Sequence, residues 1–421
     1  MWDSPSMTGS LGPNFWRLVA SSGLSNLGDG TFKVALPLVA VGLTRSPGLI
    51  AGLTVAATLP WLLFALPAGA FADRLDRRRV MVGADVARAG LLAALVAGAL
   101  LGVDSIWLLY AVALCVGVAE TLYDTAAQSI LPQVVAPDLL PRANARLYAV
   151  ELTANEFIGP ALAGLMVTAA TTVAFGTPAG LWACAVAALL LMRGSYRVRR
   201  DRRTTVRADI AEGLRFLWRN RLLRTLAVMV GVSNFTQSAM MAVLVLYVVG
   251  PESGMKLPAP AFGILLATFA AGSLAGSFVA ERVQRALGRA GSLSLSIVTR
   301  ALPFGVLALT ANPYLAGASF FLGGATNIVW NIITVSLRQR ITPDHLLGRV
   351  NSGYRLVAWG SLPLGAAAGG LLADLFGLRT VFAVMGILTL ALLAGMTIVT
   401  DDRMTAAEQQ PSERDGVADG R

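Results

Sequence analysis

Asp29 and Lys33 stand four residues apart in the apolar stretch Asn26-Leu27-Gly28-Asp29-Gly30-Thr31-Phe32-Lys33. On a helix that spacing puts both on one face, where they can pair. Glu120 and Asp124 share the same spacing, with Gln128 one turn further, and Glu151, Asn155 and Glu156 crowd a third apolar stretch. Arg88 and Arg300 sit in similar settings, Val86-Ala87-Arg88-Ala89 and Val298-Thr299-Arg300-Ala301, and Arg355 lies in another apolar run. In hydrocarbon such a charge costs at least about 2.5–3.5 kcal/mol at a helix centre, so these side chains are expected to face inward and pair. Lys33, Arg88, Arg300 and Arg355 are the expected buried charge partners. A carboxylate taken out of water holds its proton more tightly and can take up and release one near neutral pH. Asp29 and Glu156 are the first candidates for that work, and Glu120 and Glu151 the next; structural ion pairing is the alternative for each. Other chemistry finds no support. His345 is the single histidine, no nucleophile–base set or metal-ligand cluster stands out, and no G-x-x-x-x-G-K-[ST] loop occurs. The expectation is a protein that is not an enzyme and uses no cofactor and no metal.

The elements that must carry these charges are membrane spans. The 421 residues are 55% hydrophobic and 14% charged, against roughly 25% charged in a soluble domain. Apolar runs of bilayer-crossing length, about 20 residues, fall near 15–43, 48–72, 80–102, 106–131, 142–170, 173–193, 222–249, 260–280, 291–311, 313–337, 349–374 and 378–400. The first is too long for a cleavable signal peptide, and more spans follow it. Cys115 and Cys184 fall in predicted spans with no C-x-x-C spacing, as small buried apolar residues.

The chain also repeats itself. Pro137-Asp138 leads to Arg142, Asn144, Tyr148 and Gly159-Pro160-Ala161-Leu162-Ala163-Gly164; Pro343-Asp344 leads to Arg349, Asn351, Tyr354 and Gly365-Ala366-Ala367-Ala368-Gly369-Gly370, at offsets such as 343 − 137 = 206 and 365 − 159 = 206. Ala68-Gly69-Ala70-Phe71 likewise recurs as Ala275-Gly276-Ser277-Phe278. The predicted fold is an all-α membrane protein, 12 transmembrane helices in two pseudo-symmetric six-helix bundles. Its expected parts are an N-terminal arm (1–14), a first bundle (15–193), a central linker (194–221), a second bundle (222–400) and a disordered polar tail (401–421). Within the linker, Ile210, Leu214, Phe216 and Leu217 suggest a helix lying at the membrane interface. Duplicated membrane halves with a site between them are a transporter architecture.

The net charge of +10 is not a nucleic-acid signal. With both ends on one side, that side receives Arg74, Arg77–Arg79, Arg142, Arg146, Arg282, Arg285 and the arginines of 193–207; the opposite loops keep Arg45, Lys256 and Arg379. This asymmetry places both termini in the cytoplasm and the basic segments against anionic lipid.

The loop after the second run reads Gly69-Ala70-Phe71-Ala72-Asp73-Arg74-Leu75-Asp76-Arg77-Arg78-Arg79. It resembles the G-x-x-x-D-R-x-G-R-R signature of the major facilitator superfamily, matching at Gly69, Asp73, Arg74, Arg77 and Arg78 and departing at Asp76, where the family usually has glycine. The flanking text resembles the drug:proton antiporter branch that includes macrolide and enterobactin exporters. The resemblance implies a conformational latch. Asp73 would meet the unpaired amides at the start of helix 11, near Arg349–Ser352, and Asp124 would serve as a further partner of the arginine cluster. A charge cluster that only fixes topology is the alternative. Gly159, Pro160 and Gly164 resemble the antiporter element G-P-x-x-G-G; simple small-residue packing is its alternative. Antiporters of the superfamily often carry an arginine in helix 4, and this chain has Glu120 there.

A cavity lined by Asn26, Phe32, Asn155, Asn234, Gln237, Asn327, Trp330 and Asn331, with Trp61, Phe64 and Phe157 nearby, would suit a hydrophobic or amphipathic organic molecule better than a sugar. The function expected is secondary active export of such a compound, a drug, secondary metabolite or siderophore, by alternating access in exchange for protons. A lipid or metabolite transporter of other direction, and a non-transporting sensor or scaffold, are the rivals. The expected partners are a small-molecule substrate, protons and membrane lipids, with no nucleic acid, for a monomer in the bacterial inner membrane.

Overall fold

The computed structural model describes residues 11–136, 139–194, 196 and 206–409, without the side chains of 65–74, 128, 141, 206–211, 213, 344–345, 347–348 and 352. Fourteen α-helices follow one another: α1 Gly12–Leu43, α2 Pro47–Arg74, α3 Arg77–Leu100, α4 Ile106–Ile130, α5 Leu140–Leu152, α6 Gly159–Ala169, α7 Thr171–Leu190, α8 Val206–Arg219, α9 Arg221–Val248, α10 Ala259–Leu309, α11 Pro313–Ile341, α12 Asp344–Phe376, α13 Leu378–Ala391 and α14 Asp401–Gln409. A π-helical turn, Thr153–Ile158, joins α5 to α6, and a 3-10 segment, Leu392–Thr397, extends α13. Among the described residues the only β pairing is one isolated bridge, Val249 to Leu257.

Nine of these helices are long and apolar enough to cross a membrane. α10 makes two crossings, broken at Gly288, whose φ of 70° leaves the helical region. α1 carries Asp29 and Lys33 inside its apolar run, and α5–α6 is interrupted by the π turn and carries Glu151 and Glu156; these two bring the number to the twelve expected. The radial pattern is that of a protein in lipid. Leu63, Trp107, Leu165 and Phe278 are exposed while Asp85 and Arg88 are buried. Cys115 and Cys184 are exposed as well, not buried as the sequence suggested, because an apolar position on an outer helix faces lipid.

The chain divides into two compact units, Met1–Leu43 with Leu63–Asp201, and Thr44–Leu62 with Arg202–Arg421. In the first unit, α1 packs on the α5–α6 segment, α7 and α4, and α3 packs on α4 and α7. The α1 contact is backbone against backbone. A Cβ on Gly159 would lie 2.8 Å from Gly30 Cα, and one on Gly30 would strike the Asn155 backbone. In the second unit Gly365 and Gly369 back onto Phe235 and Ala239 of α9 in the same way. The repeat in the sequence is therefore a repeat of helix crossings, with Gly159 at the crossing of α6 and α1. The first half of α2 also belongs to the second unit, where Trp61 meets Trp359 edge to face at 4.4 Å.

Two polar segments differ from expectation. α8 lays Leu214 and Leu217 against α12 and α9, where Leu217 joins Leu223, Ala227, Leu346 and Val350 in a core; Glu212 pairs with Arg349. The described part of its apolar face, Leu214, Phe216 and Leu217, thus packs on protein. The stretch expected as a disordered tail is helical over 401–409. Met404 is fully buried, Glu408 pairs with Arg289 at 2.6 Å, and Asp401 accepts from the amides of Arg289 and Ala290 at 3.0 and 3.2 Å. Residues 410–421 lie outside the described residues. The corresponding helix start in the first unit is capped locally. Asp76 (φ −67°) accepts from the Arg79 amide at 3.2 Å, and 288 − 76 = 212 matches 300 − 88 = 212. Gly288 carries no carboxylate, and Asp401 supplies one from the chain end. At φ −67° the Asp76 position needs no glycine.

Candidate functional site

Asp29 does not pair with Lys33. Its Oδ1 accepts from Arg88 Nη1 at 2.5 Å, across from α1 to α3. The same guanidinium binds Asp85 through Nη2, and Nη2 also donates to Ser25 Oγ at 2.9 Å. Ser25 in turn donates to Asp85 at 3.1 Å. Tyr123 and Trp182 cover the guanidinium on either side, with ring centroids 4.8 and 4.9 Å from its carbon. Trp182 is fixed by donating to the Ser25 carbonyl at 3.2 Å. Arg88 and Asp85 are wholly buried and Asp29 is 3% exposed. α1 carries the buried Ser21, Ser22 and Ser25 here, of which Ser25 bonds Asp85, Arg88 and Trp182.

Lys33 instead reaches α4, where its Nζ lies 3.0 Å from Glu120 Oε1; their side chains are 46% and 13% exposed. The helix spacing explains the exchange of partners. Residues 29 and 33 do share a face of α1, but α3 brings a guanidinium to the first and α4 a carboxylate to the second. The cluster therefore has a sealed end at Arg88 and an open end at Lys33. Asp124 is half-buried, and its charged neighbours are Glu120, Asp29, Lys33 and Arg88. It lies one turn from Glu120 on α4. Four carboxylates, Asp29, Asp85, Glu120 and Asp124, thus neighbour two cations, Arg88 and Lys33.

Two further acids stand on α5 and the π turn. Glu151 accepts from Ser22 Oγ at 2.8 Å. Glu156 is exposed, on the π turn. Asn155 donates to Asn26 at 3.3 Å, joining two of the expected cavity residues. Phe32 is buried between Phe175 and Trp182, at 6.4 and 6.1 Å. In the second unit Arg300 donates to Asn327 at 2.7 Å, and Asn331 donates to the Asn327 carbonyl. Asn234 ties α9 to α12 through the Ala358 carbonyl at 2.7 Å, and Gln237 is half-buried one turn further. Trp330 is 4% exposed and packs in an apolar core with Ile297 and Ile333. Arg355 stacks on Trp359 at 4.2 Å.

Of the latch residues, the side chains of Gly69, Asp73 and Arg74 lie outside the described residues. Arg77 donates to the Ser129 carbonyl at the end of α4, 2.7 Å away, and Arg78 to the Leu190 carbonyl at 2.9 Å. Both fasten the start of α3 to neighbouring helix ends. Gly159, Pro160 and Gly164 are buried against α1. Within the first unit a cavity of about 910 Å³ runs along α3 and α4 between Phe64, Leu91, Val118 and Leu122, with Arg79 at one end; Phe64 alone of the expected lining residues borders it.

Asp85 escaped the sequence reading. The signal was present: Asp85 and Arg88 are three apart in an otherwise apolar helix, the same local spacing logic that drew attention to Asp29 and Lys33. Tyr123 and Trp182 gave no such signal, since an aromatic in a span is ordinarily packing.

Two helical bundles of duplicated plan with charge sealed inside the first define a membrane transporter of the major facilitator superfamily, not an enzyme. Residues 12–417 match the model of the transmembrane secretion effector family, and the chain belongs to that family. It is 30% identical over 390 residues to the multidrug efflux pump Tap of Mycobacterium tuberculosis (strain ATCC 25618 / H37Rv), covering 89% of this chain and 90% of that one. The multidrug efflux pump Tap of Mycolicibacterium fortuitum is 29% identical over 378 residues, 86% of this chain and 89% of its own. The crystal structure of the nucleoside transporter NupG matches at a TM-score of 0.72 over 91% of this chain and 99% of that one. At 14% identity this likeness is one of fold.

Proposed function

We propose that the protein exports small hydrophobic or amphipathic compounds, drugs among them, from the bacterial cytoplasm by alternating access, in exchange for protons. The observation that carries this is the charge cluster of the first unit, whose carboxylates outnumber its cations and whose Asp29 sits at the boundary between the sealed and the open end. A sensor or scaffold gains nothing from charge that costs this much to bury. The names of the two Tap relatives favour efflux over uptake. In this reading Asp29 binds the coupling proton while Lys33–Glu120 and Asp124 connect it to the open end. Glu151 and Glu156 lie on the neighbouring segment as secondary candidates. Gly69, Asp73, Arg74, Arg77 and Arg78 form the cytoplasmic latch, and both termini are cytoplasmic. Asn26, Asn155, Asn234, Gln237, Asn327 and Asn331 offer polar contacts to the cargo.

The test is efflux of a fluorescent cation such as ethidium from cells expressing the protein, with and without a proton uncoupler. Uncoupler-sensitive efflux above the empty-vector rate is expected. Ethidium efflux unchanged by the uncoupler removes proton exchange, and no efflux of any of a panel of amphipathic dyes removes the exporter reading.

A further inference from the structure

We propose that Asp85 is the standing counter-ion of Arg88, a positioning residue that frees Asp29 to gain and lose a proton without stranding a buried guanidinium. The inference rests on the proton-driven exporter reading. Its starting point is a redundancy: one arginine, sealed from solvent, is bound by two carboxylates from two different helices. A single carboxylate would satisfy its charge. If Asp29 were alone, each protonation of Asp29 would leave Arg88 charged and unpaired in a dry interior, a cost of several kcal/mol. The proton would be refused, and the ion pair would lock.

Asp85 removes that obstacle. It is on the same helix as Arg88, three residues away, wholly buried, and held by Ser25, so it stays in place whichever state Asp29 adopts. Its second oxygen, Oδ2, is buried with no hydrogen-bond partner among the described residues; Arg88 and Ser25 both meet Oδ1. Asp29 differs in the respect that matters: it lies on α1, one turn from Lys33 and the open end, whereas Asp85 lies on α3 beside Arg88. The step balances simply: the ionised Asp29 carboxylate takes one proton from the outer side, becomes a neutral carboxyl, and later gives that proton to the cytoplasm. Arg88 and Asp85 keep their charges throughout.

The other ionisable groups facing the pair are known. From α1 comes Lys33, from α4 Glu120, Asp124 and Tyr123, and Glu156 of the π turn acts on Lys33. α7 presents Trp182, which does not titrate. Among the described residues none of these hydrogen bonds Arg88, whose Nη1 goes to Asp29 and whose Nη2 goes to Asp85 and Ser25.

The experiment uses the full-length protein and the variants Asp29→Asn, Asp85→Asn, the double variant and Asp85→Glu. Folded yield is read by size-exclusion in detergent, and ethidium efflux in inverted vesicles is read against pH. Either carboxylate alone should hold Arg88, so both single variants accumulate within about threefold of wild type, while the double variant falls at least tenfold further. In Asp85→Asn, Asp29 becomes the sole partner of Arg88 and stays ionised. The pH midpoint of efflux should then move to the acid side by about one to three units, the range a neighbouring guanidinium imposes on a carboxylate. Asp85→Glu should return it. A midpoint that does not move, an Asp85→Asn protein that fails to accumulate, or a double variant folded as well as Asp29→Asn overturns the proposal. If wild type shows no uncoupler-sensitive efflux, the exporter reading fails, and the folded yields alone still decide whether Asp85 and Asp29 share Arg88.

Discussion

Replacing Arg88 by methionine removes the centre of the network and keeps the volume of the stem. Two carboxylates, Asp29 at 3% exposure and Asp85 at none, lose their only guanidinium. Breaking a buried ion pair by removing one partner costs about 3–5 kcal/mol, because the other charge is left uncompensated. Here two are left. Protonation of one or both relieves part of the cost, since a buried carboxylate neutralises before it stays bare; the lower bound of about 3 kcal/mol is therefore the figure to use. The stacking of the guanidinium on Tyr123 and Trp182 adds about 0.5–2 kcal/mol per ring. A loss of about 3 kcal/mol multiplies the unfolded fraction by more than a hundred, at tenfold per 1.4 kcal/mol. Fluorescence-detected size-exclusion of the tagged protein should show the Arg88→Met peak collapse. The triple variant Arg88→Met with Asp29→Asn and Asp85→Asn carries no stranded charge and should recover the peak without recovering proton-dependent efflux. An Arg88→Met protein as abundant and as heat-resistant as wild type would refute the reasoning, because it would mean that the two carboxylates do not need the cation.

Gly159→Val puts a branched side chain where even a Cβ meets the α1 backbone at 2.8 Å, so it should lower stability by about 1–3 kcal/mol or more; Gly176→Ala on α7, with nothing within 4 Å of the added carbon, should be neutral or slightly stabilising by helix propensity, and thermal melting in detergent compares the two. Asp401→Ala removes the cap of the helix that begins at Arg289 and should cost about 0.5–2 kcal/mol, read as an earlier melt and faster proteolysis of the chain end. Lys33→Met leaves Glu120 without its ion pair at the open end; there the pair is part-exposed and weaker, so folded yield should stay near wild type while the pH profile of efflux changes. Reporter fusions after Arg203 and after Arg403 should both report cytoplasm, and an external signal from either would reverse the topology.

The class of fold was legible because lipid imposes a coarse rule: length and hydropathy mark a span whatever its neighbours do. The repeat was legible too, since glycines needed for backbone contact recur at fixed offsets, as Gly159 and Gly365 do. Partner choice was not. Asp29 and Lys33 share a face on one helix, but which helix comes opposite each of them is set by the packing of α3, α4 and α7, and no local spacing encodes it. α14 looked like a tail because its composition is polar; one buried methionine, Met404, and two acids aimed at Arg289 suffice to dock it. Asp85 was overlooked because it stands beside its own partner in sequence, where a charge pair looks self-sufficient.

The most direct test of the central claim is made in proteoliposomes containing the purified protein and a pH-sensitive dye inside, with substrate added to one side and no other ion gradient. Addition of ethidium to wild-type vesicles should move protons in the direction opposite to the substrate, and the same addition to Asp29→Asn vesicles should move none while ethidium still binds. Proton movement of wild-type size in the Asp29→Asn vesicles, or substrate movement in wild-type vesicles without any proton signal, would contradict the account.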